Sequence, residues 1–268
     1  MRLDDVRGFV LDVDGTLVHR DGEEVHLLPG AREMLERIRA SGRPLALFTN
    51  GSHIPPAGFA EGLRDAGLDV ADDELLTPLS SVRTYLRLHH AATVLLFGTD
   101  AAREYLVASG IGIVDGDRHG HADAVLVTHT DVVDFAGLEH GARVILDGAR
   151  LLTGSYVPAY AGANGPIFSR GAMLTAALAK VTGRRPVVVG KPSRAAVRTI
   201  VEHLGVPASE LVVIGDDLDL DIALGRIGGS RTILVRTGIS ESVDMRRVPE
   251  RRRPDTVVGG VAELLDRL

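Results

Sequence analysis

The sequence predicts an α/β protein with a mainly parallel sheet, divided into a core of two separated pieces and a second α/β domain inserted between them. Three observations predict it. Short β-branched or Leu-rich runs alternate with segments of helical period. Four of the apolar runs end on a polar or charged residue, as strands do where an open parallel sheet borders a ligand crevice at its carboxyl edge. The length of 268 residues suits one large domain or two modest ones at about 150 residues per domain.

The first strand is Phe9-Val10-Leu11. From Leu17 to Leu28 the Asp21-Gly22 pair between extended residues reads as a tight hairpin turn, too short for an inserted domain. A helix follows from about Arg32 to Ser41, where Met34, Leu35 and Ile38 keep helical spacing and Gly42 ends it. Leu45 to Phe48 is the next strand. After Thr77-Pro78 a second series begins, with a helix near Ser81 to His89, a strand Val94 to Phe97, a helix near Ala101 to Ser109 and a strand Ala124 to Val127. That series continues to about Thr182. Pro186 to Val189, a helix from Ser193 to Leu204, the strand Leu211 to Ile214, and a last strand and helix after Ser230 return to the core. The expected division is therefore a core at 1–78 and 186–268 with an insert at 79–185.

Composition narrows the function. A net charge of −6 argues against a general nucleic-acid surface, which needs a positive footprint. The absence of cysteine removes disulfides, thiolate nucleophiles and Cys-type metal sites. No apolar run approaches the roughly 20 residues of a membrane helix, and no signal-peptide stretch follows the start, so a cytoplasmic protein without a membrane partner is expected. Only two lysines occur, Lys180 and Lys191, among 30 basic residues, which makes each mildly informative.

The four strand ends read FVL-Asp12, LALF-Thr49, VVVG-Lys191 and LVVIG-Asp216. Brought to one crevice, a carboxylate, a hydroxyl, an ammonium and a second carboxylate match phosphoryl transfer through a covalent intermediate. Asp12 would attack phosphorus. Asp14, two residues on, is placed to protonate the leaving oxygen and then to activate water. Because a bare carboxylate is repelled by a phosphate dianion, Mg2+ is expected, with Asp12 and Asp216 as hard oxygen ligands. The Thr49 hydroxyl and Lys191 ammonium would hold the equatorial oxygens. Gly15 permits the close turn.

Asp12-Val13-Asp14-Gly15-Thr16, Thr49-Asn50-Gly51-Ser52, Gly190-Lys191-Pro192 and Gly215-Asp216-Asp217 with Asp221 resemble, in order, the four motifs of haloacid dehalogenase-type phosphatases. Because the insert falls between the second and third motifs, the chain most resembles the C2-capped branch that includes the NagD and 4-nitrophenylphosphatase-like enzymes. The resemblance implies a doubly wound, Rossmann-like core with an α/β C2 cap. It implies an Asp12 nucleophile, an Asp14 acid/base, and phosphate contacts from Thr49, Asn50, Gly51 and Lys191. Magnesium would be held by the Asp12 side chain, the Asp14 carbonyl and Asp216, with Asp217 and Asp221 around the metal's bound water. A small phosphorylated metabolite is the expected partner, together with a homodimer through the cap. The chain departs from many relatives at Gly51, at Asp217, and at Thr153-Gly154-Ser155-Tyr156 in the cap. A phosphotransferase or mutase, or a non-catalytic phosphate-binding module, are the competing readings of the same motifs.

The loop from Gly154 to Gly171, with Tyr156, Tyr160 and Asn164, has a composition suited to covering the crevice and selecting the leaving group. Other features point to plainer roles. Asp217, Asp219 and Asp221 alternate like a calcium loop, but Ile222 and Gly228 stand where such a loop needs Gly and Glu. His119, His121 and Asp123 read as a surface loop, and Arg246 to Arg253, with five arginines and one Glu, as a solvated face.

Overall fold

The computed structural model describes residues 3–21, 24–114, 121–160 and 167–268, with the backbone alone at 160. The chain enters through β1 (Gly8–Leu11), the hairpin of β2 (Val18–Asp21) and β3 (Glu24–Leu27), α1 (Ala31–Ala40), β4 (Leu45–Phe48), α2 (Pro56–Asp65) and the short β5 (Leu75–Leu76). The insert then runs through α3 (Pro78–Leu88), β6 (Thr93–Phe97), α4 (Asp100–Ala108), β7 (Gly112–Ile113), β8 (Ala124–Val127), α5 (Phe135–Leu146), β9 (Arg150–Thr153), β10 (Ala159–Tyr160), β11 (Ile167–Phe168), α6 (Arg170–Thr182) and β12 (Val187–Val188). The return comprises α7 (Arg194–Leu204), β13 (Leu211–Gly215), α8 (Ala223–Gly228), β14 (Arg231–Val235) and β15 (Thr256–Val258).

These elements form two compact units. One is Met1–Thr49, Pro56–Leu76 and Lys191–Leu268; the other is Asn50–Pro55 and Thr77–Gly190. The first holds a six-stranded parallel sheet in the order β15-β14-β13-β1-β4-β5. Counted by appearance within the unit this is the doubly wound order 3-2-1-4-5-6, whose reversal of direction falls between β1 and β13. The second holds a five-stranded parallel sheet, β12-β9-β8-β6-β7, with its own reversal between β6 and β8. Every residue of β1, β4, β8 and β13 is buried, as expected of strands covered by helices on both faces. Val10, Phe48, Ile200, Val213 and Leu224 pack one side of the first sheet, and Leu95, Val125, Ile145, Leu151 and Leu178 pack the second.

Local chemistry sets the helix starts. Thr99, Asp134, Ser169 and Ser193 each accept an amide hydrogen bond at the N-cap of α4, α5, α6 and α7. α3 begins three residues before the sequence predicts, because Thr77 caps it and Pro78 takes the first turn, where no amide donor is needed. The expected single strand and helix after Ser230 are two strands, and the chain ends in a 3-10 helix at Val261–Arg267. Asp21 and Glu24 close the predicted hairpin as a cross-strand pair.

The same side-chain clasp recurs in both sheets. Asp123, just before β8, accepts from the amides of Ala92 and Thr93 and from the Thr93 hydroxyl at 2.8–2.9 Å. Asp255, just before β15, accepts from the Thr232 amide and hydroxyl at 2.8 and 2.9 Å. Asp123 is thus part of the fold rather than of a histidine site, and His119 lies outside the described residues. The Ala92 and Thr93 amides hold the Asp123 carboxyl below its ordinary range. A depressed folded-state value contributes stability above the unfolded value of about 3.9 and loses it as pH falls through the folded value. Losing these hydrogen bonds in Asp123→Ala, with water able to replace the carboxylate at the exposed Ala92 amide, is expected to cost about 1 kcal/mol near neutral pH, with the deficit narrowing below about pH 4, measured by urea unfolding.

Candidate active site

The site is built at the carboxyl edge of the first sheet, on both sides of its reversal. Asp12 follows β1 directly, and its amide donates to the Ile214 carbonyl of β13 at 2.9 Å. The chain then turns back sharply, with the Leu17 and Val18 amides donating to the Val13 carbonyl at 2.9 and 3.0 Å. Gly15 adopts φ +82°, a conformation that side-chain-bearing residues avoid, and a Cβ there would lie 2.6 Å from an Asp216 carboxylate oxygen. Asp14 points outward from this turn, half-exposed and paired with Arg20 of β2. Thr49 follows β4, is buried, and donates its amide to the Leu76 carbonyl at 3.2 Å. Lys191 reopens the first unit ahead of a cis peptide to Pro192.

Lys191 is buried, and its ammonium donates to Asp12 Oδ1 at 2.5 Å and to Asp221 Oδ1 at 2.7 Å. It also lies 5.9 Å from the centre of the Phe48 ring. Burial opposes its charge, but the two carboxylates outweigh burial and hold it protonated, above lysine's ordinary value. Asp12, Asp216 and Asp221 are all buried and offer carboxylate oxygens within 4.8 Å of one another. Burial, reinforced by the neighbouring carboxylates, raises all three, with Asp216 pushed up to about 7. One ammonium thus faces three crowded acids. Such an imbalance of negative charge in a buried, all-oxygen donor set fits a hard divalent cation, which would offset it.

Asp12, Lys191, Asp216 and Asp221 are brought together as one cluster. Asp217 faces its own turn, accepting from the amides of Asp219 and Leu220 at 2.7 and 3.2 Å. Asn50 and Gly51 belong to the second unit, where a Cβ on Gly190 would lie 2.6 Å from Asn50 Oδ1. Tyr156 is exposed, Tyr160 is in β10, and Asn164 lies outside the described residues. Asp219 is exposed and pairs with Arg252, and the remaining arginines of 246–253 are solvated, with Arg246 held by Asp244. Sequence reasoning missed two participants. The Thr16 hydroxyl donates to Asp12 Oδ2 at 3.2 Å, and Arg20 engages Asp14. Thr16 was legible as part of the first motif, whereas an arginine in a hairpin carries no signal of its own.

The family model for haloacid dehalogenase-like hydrolases matches residues 9–112, and a second, HAD-hydrolase-like model matches residues 188–264. The ribonucleotide monophosphatase NagD of Escherichia coli K12 is 30% identical over 97% of this chain and 98% of its own. The chain belongs to the haloacid dehalogenase-like hydrolases. Within that family it stands with the NagD-like phosphatases. A dihydroxyacetone phosphatase of Corynebacterium glutamicum is 28% identical over 96% of this chain and 90% of its own. Two solved structures share the architecture of this haloacid dehalogenase-like hydrolase. A p-nitrophenyl phosphatase from Archaeoglobus fulgidus gives a TM-score of 0.86 at 29% identity, covering 98% of this chain and 100% of that one. A 4-nitrophenylphosphatase from Thermotoga maritima gives 0.87 at 28%, covering 98% of each. Haloacid dehalogenase-like phosphatases use a divalent metal, and the carboxylate cluster answers that requirement.

Proposed function

We propose that the chain hydrolyses small phosphomonoesters with Mg2+, through an aspartyl-phosphate intermediate on Asp12. The observation that carries this reading is the joining of Asp12, Lys191, Asp216 and Asp221 from three distant segments at the reversal of the sheet. A carboxylate oxygen of Asp12 forms a bond to phosphorus as the ester P–O bond breaks, and Asp14 gives its proton to the leaving oxygen. Water then attacks phosphorus, Asp14 takes its proton, and the Asp12–phosphorus bond breaks to release phosphate. Lys191 keeps Asp12 oriented and, with the Thr49 hydroxyl, supplies positive charge and a donor to the phosphoryl oxygens. Asp12, Asp216 and the Asp14 carbonyl would hold the metal, with Asp221 beside them. When bound, it neutralises the repulsion between nucleophile and substrate dianion.

Relatives named for ribonucleotides, dihydroxyacetone phosphate and nitrophenyl phosphate support a small substrate: a sugar phosphate, nucleoside monophosphate, phosphoglycolate-like ester or aryl phosphate. The test is phosphate release from a panel of these esters, with Mg2+ or with EDTA. Release that needs Mg2+ supports the reading. Phosphate appearing on a second substrate without net release would make the chain a transferase instead.

A homodimer through the inserted unit belongs to the same reading. It is supported by large apolar side chains left exposed there, among them Val132 at 84% and Phe135 at 89%. Sedimentation velocity of the chain beside Phe135→Glu is expected to show a dimer that the substitution weakens. A monomer in both would remove the proposal.

A further inference from the structure

The loop that follows β14 touches both motifs that frame the site, at Gly15 and at Asp216. Its second residue, Thr237, donates its hydroxyl to the Gly15 carbonyl at 2.6 Å. Its fourth, Ile239, donates its amide to Asp216 Oδ2 at 2.6 Å, and the Ser240 amide donates to the Asp216 carbonyl at 3.2 Å. The Ser240 hydroxyl in turn accepts from the Leu218 amide at 3.2 Å, which ties the loop to the turn that carries Asp221. Between them, Gly238 lies so close to the Asp216 carboxylate that any Cβ would overlap it.

β1, β13 and β14 are consecutive neighbours in the sheet, in the order β14-β13-β1. Asp12 to Gly15 extend from the end of β1, Asp216 from β13 and Thr237 to Ser240 from β14. The Thr237–Gly15 hydrogen bond therefore spans the end of β13 and closes a ring of three loops around Asp216. Within that ring the Gly15 amide is already committed to the Val18 carbonyl at 2.7 Å, so the turn is held from inside by its own backbone and from outside by Thr237. Lys191 and Thr16 hold the Asp12 carboxylate and Arg20 holds that of Asp14, while Thr237 is the side chain that holds the backbone of the turn itself, at the Gly15 carbonyl.

We propose that Thr237 is a positioning residue for phosphoester hydrolysis, fixing the Asp12–Gly15 turn against Asp216 through its hydroxyl. The proposal rests on the reading of Asp12 as nucleophile. One neutral hydrogen bond contributes little to global stability, but nucleophile and metal ligands displaced by a fraction of an ångström lose much of their effect. Substitutions around metal ligands commonly cost about 10- to 100-fold in affinity or rate.

The test compares Thr237→Val, which keeps the shape and removes the hydroxyl, with Thr237→Ser, which keeps the hydroxyl. Thr237→Val is expected to lower kcat about 10- to 100-fold with KM changed less than about threefold. Thr237→Ser is expected to stay within about threefold of wild type. Calorimetric titration of the chain with Mg2+ in the absence of substrate gives an independent readout, with affinity expected to fall about 10-fold in Thr237→Val and to be retained in Thr237→Ser. Thermal melts of both variants report folding, and Thr237→Ala replaces Thr237→Val if that protein does not fold. Wild-type kcat and Mg2+ affinity in the hydroxyl-free variant would overturn the proposal, as would equal losses in both variants. Asp12→Asn is run alongside. Undiminished activity there marks failure of the nucleophile reading, whereas an inactive Asp12→Asn with an unaffected Thr237→Val marks failure of this proposal alone.

Discussion

Asp12→Asn is expected to lower phosphate release by on the order of 10⁴-fold or more while the protein remains folded. The size follows from losing a nucleophile outright: an amide oxygen at that position cannot form the phosphoenzyme, and only binding and electrostatic stabilisation of direct water attack remain. Folding is expected to survive because Lys191 keeps Asp221 as a partner at 2.7 Å and the Thr16 hydroxyl still has an acceptor within reach. Single-turnover phosphate release, with circular dichroism as the folding control, checks both halves. A variant retaining more than about 1% of wild-type kcat would place the nucleophile elsewhere.

Lys191→Met is expected to damage stability and activity together. The ammonium is the shared partner of two buried carboxylates, and removing one member of a buried ionic cluster leaves the other charges uncompensated. The expected loss is about 3–5 kcal/mol, a large share of the about 5–15 kcal/mol typical of a folded domain. Urea unfolding at pH 7.5 with EDTA measures it. Adding Asp221→Asn to Lys191→Met removes one orphaned charge and is expected to restore part of the loss; a further drop would show that charge is not the cause. Loss of positive charge at the phosphoryl oxygens is expected to lower kcat about 10²- to 10³-fold in addition.

Much of this was legible in the sequence because the site lies where strands stop. β4 and β8 have the expected bounds, β1 and β13 exceed theirs by a residue, and the motif residues that follow β1 and β13 fall beside each other once the sheet reverses between those strands. The resemblance places Asp221 around the metal's water, and its carboxylate lies in the buried cluster with Asp12 and Asp216, bonded to Lys191. It is carried there by the turn at Leu218–Ile222, a π-helical turn capped by Asp217 in which Asp221 is buried. No hydrophobic period reports such a turn. Arg20 and Thr237 were invisible for a related reason: each acts through a single hydrogen bond to a residue of the first motif, and nothing in local spacing marks a partner 222 positions away, as Thr237 is from Gly15.

The pairing of β1 with β13 puts two strands about 200 residues apart at the centre of the first sheet. The second sheet has no such separation between its first four strands, all of which lie within residues 93–153. During synthesis, therefore, β6 to β9 can assemble as they emerge, while β1 must wait for most of the chain before its second neighbour exists. Until then the edge of β1 destined for β13 is an unpaired apolar ribbon, and Asp12 has neither Lys191 nor Asp216 beside it. The carboxylates and the lysine can therefore meet only once β13 has emerged, the same strand that completes the pairing of β1.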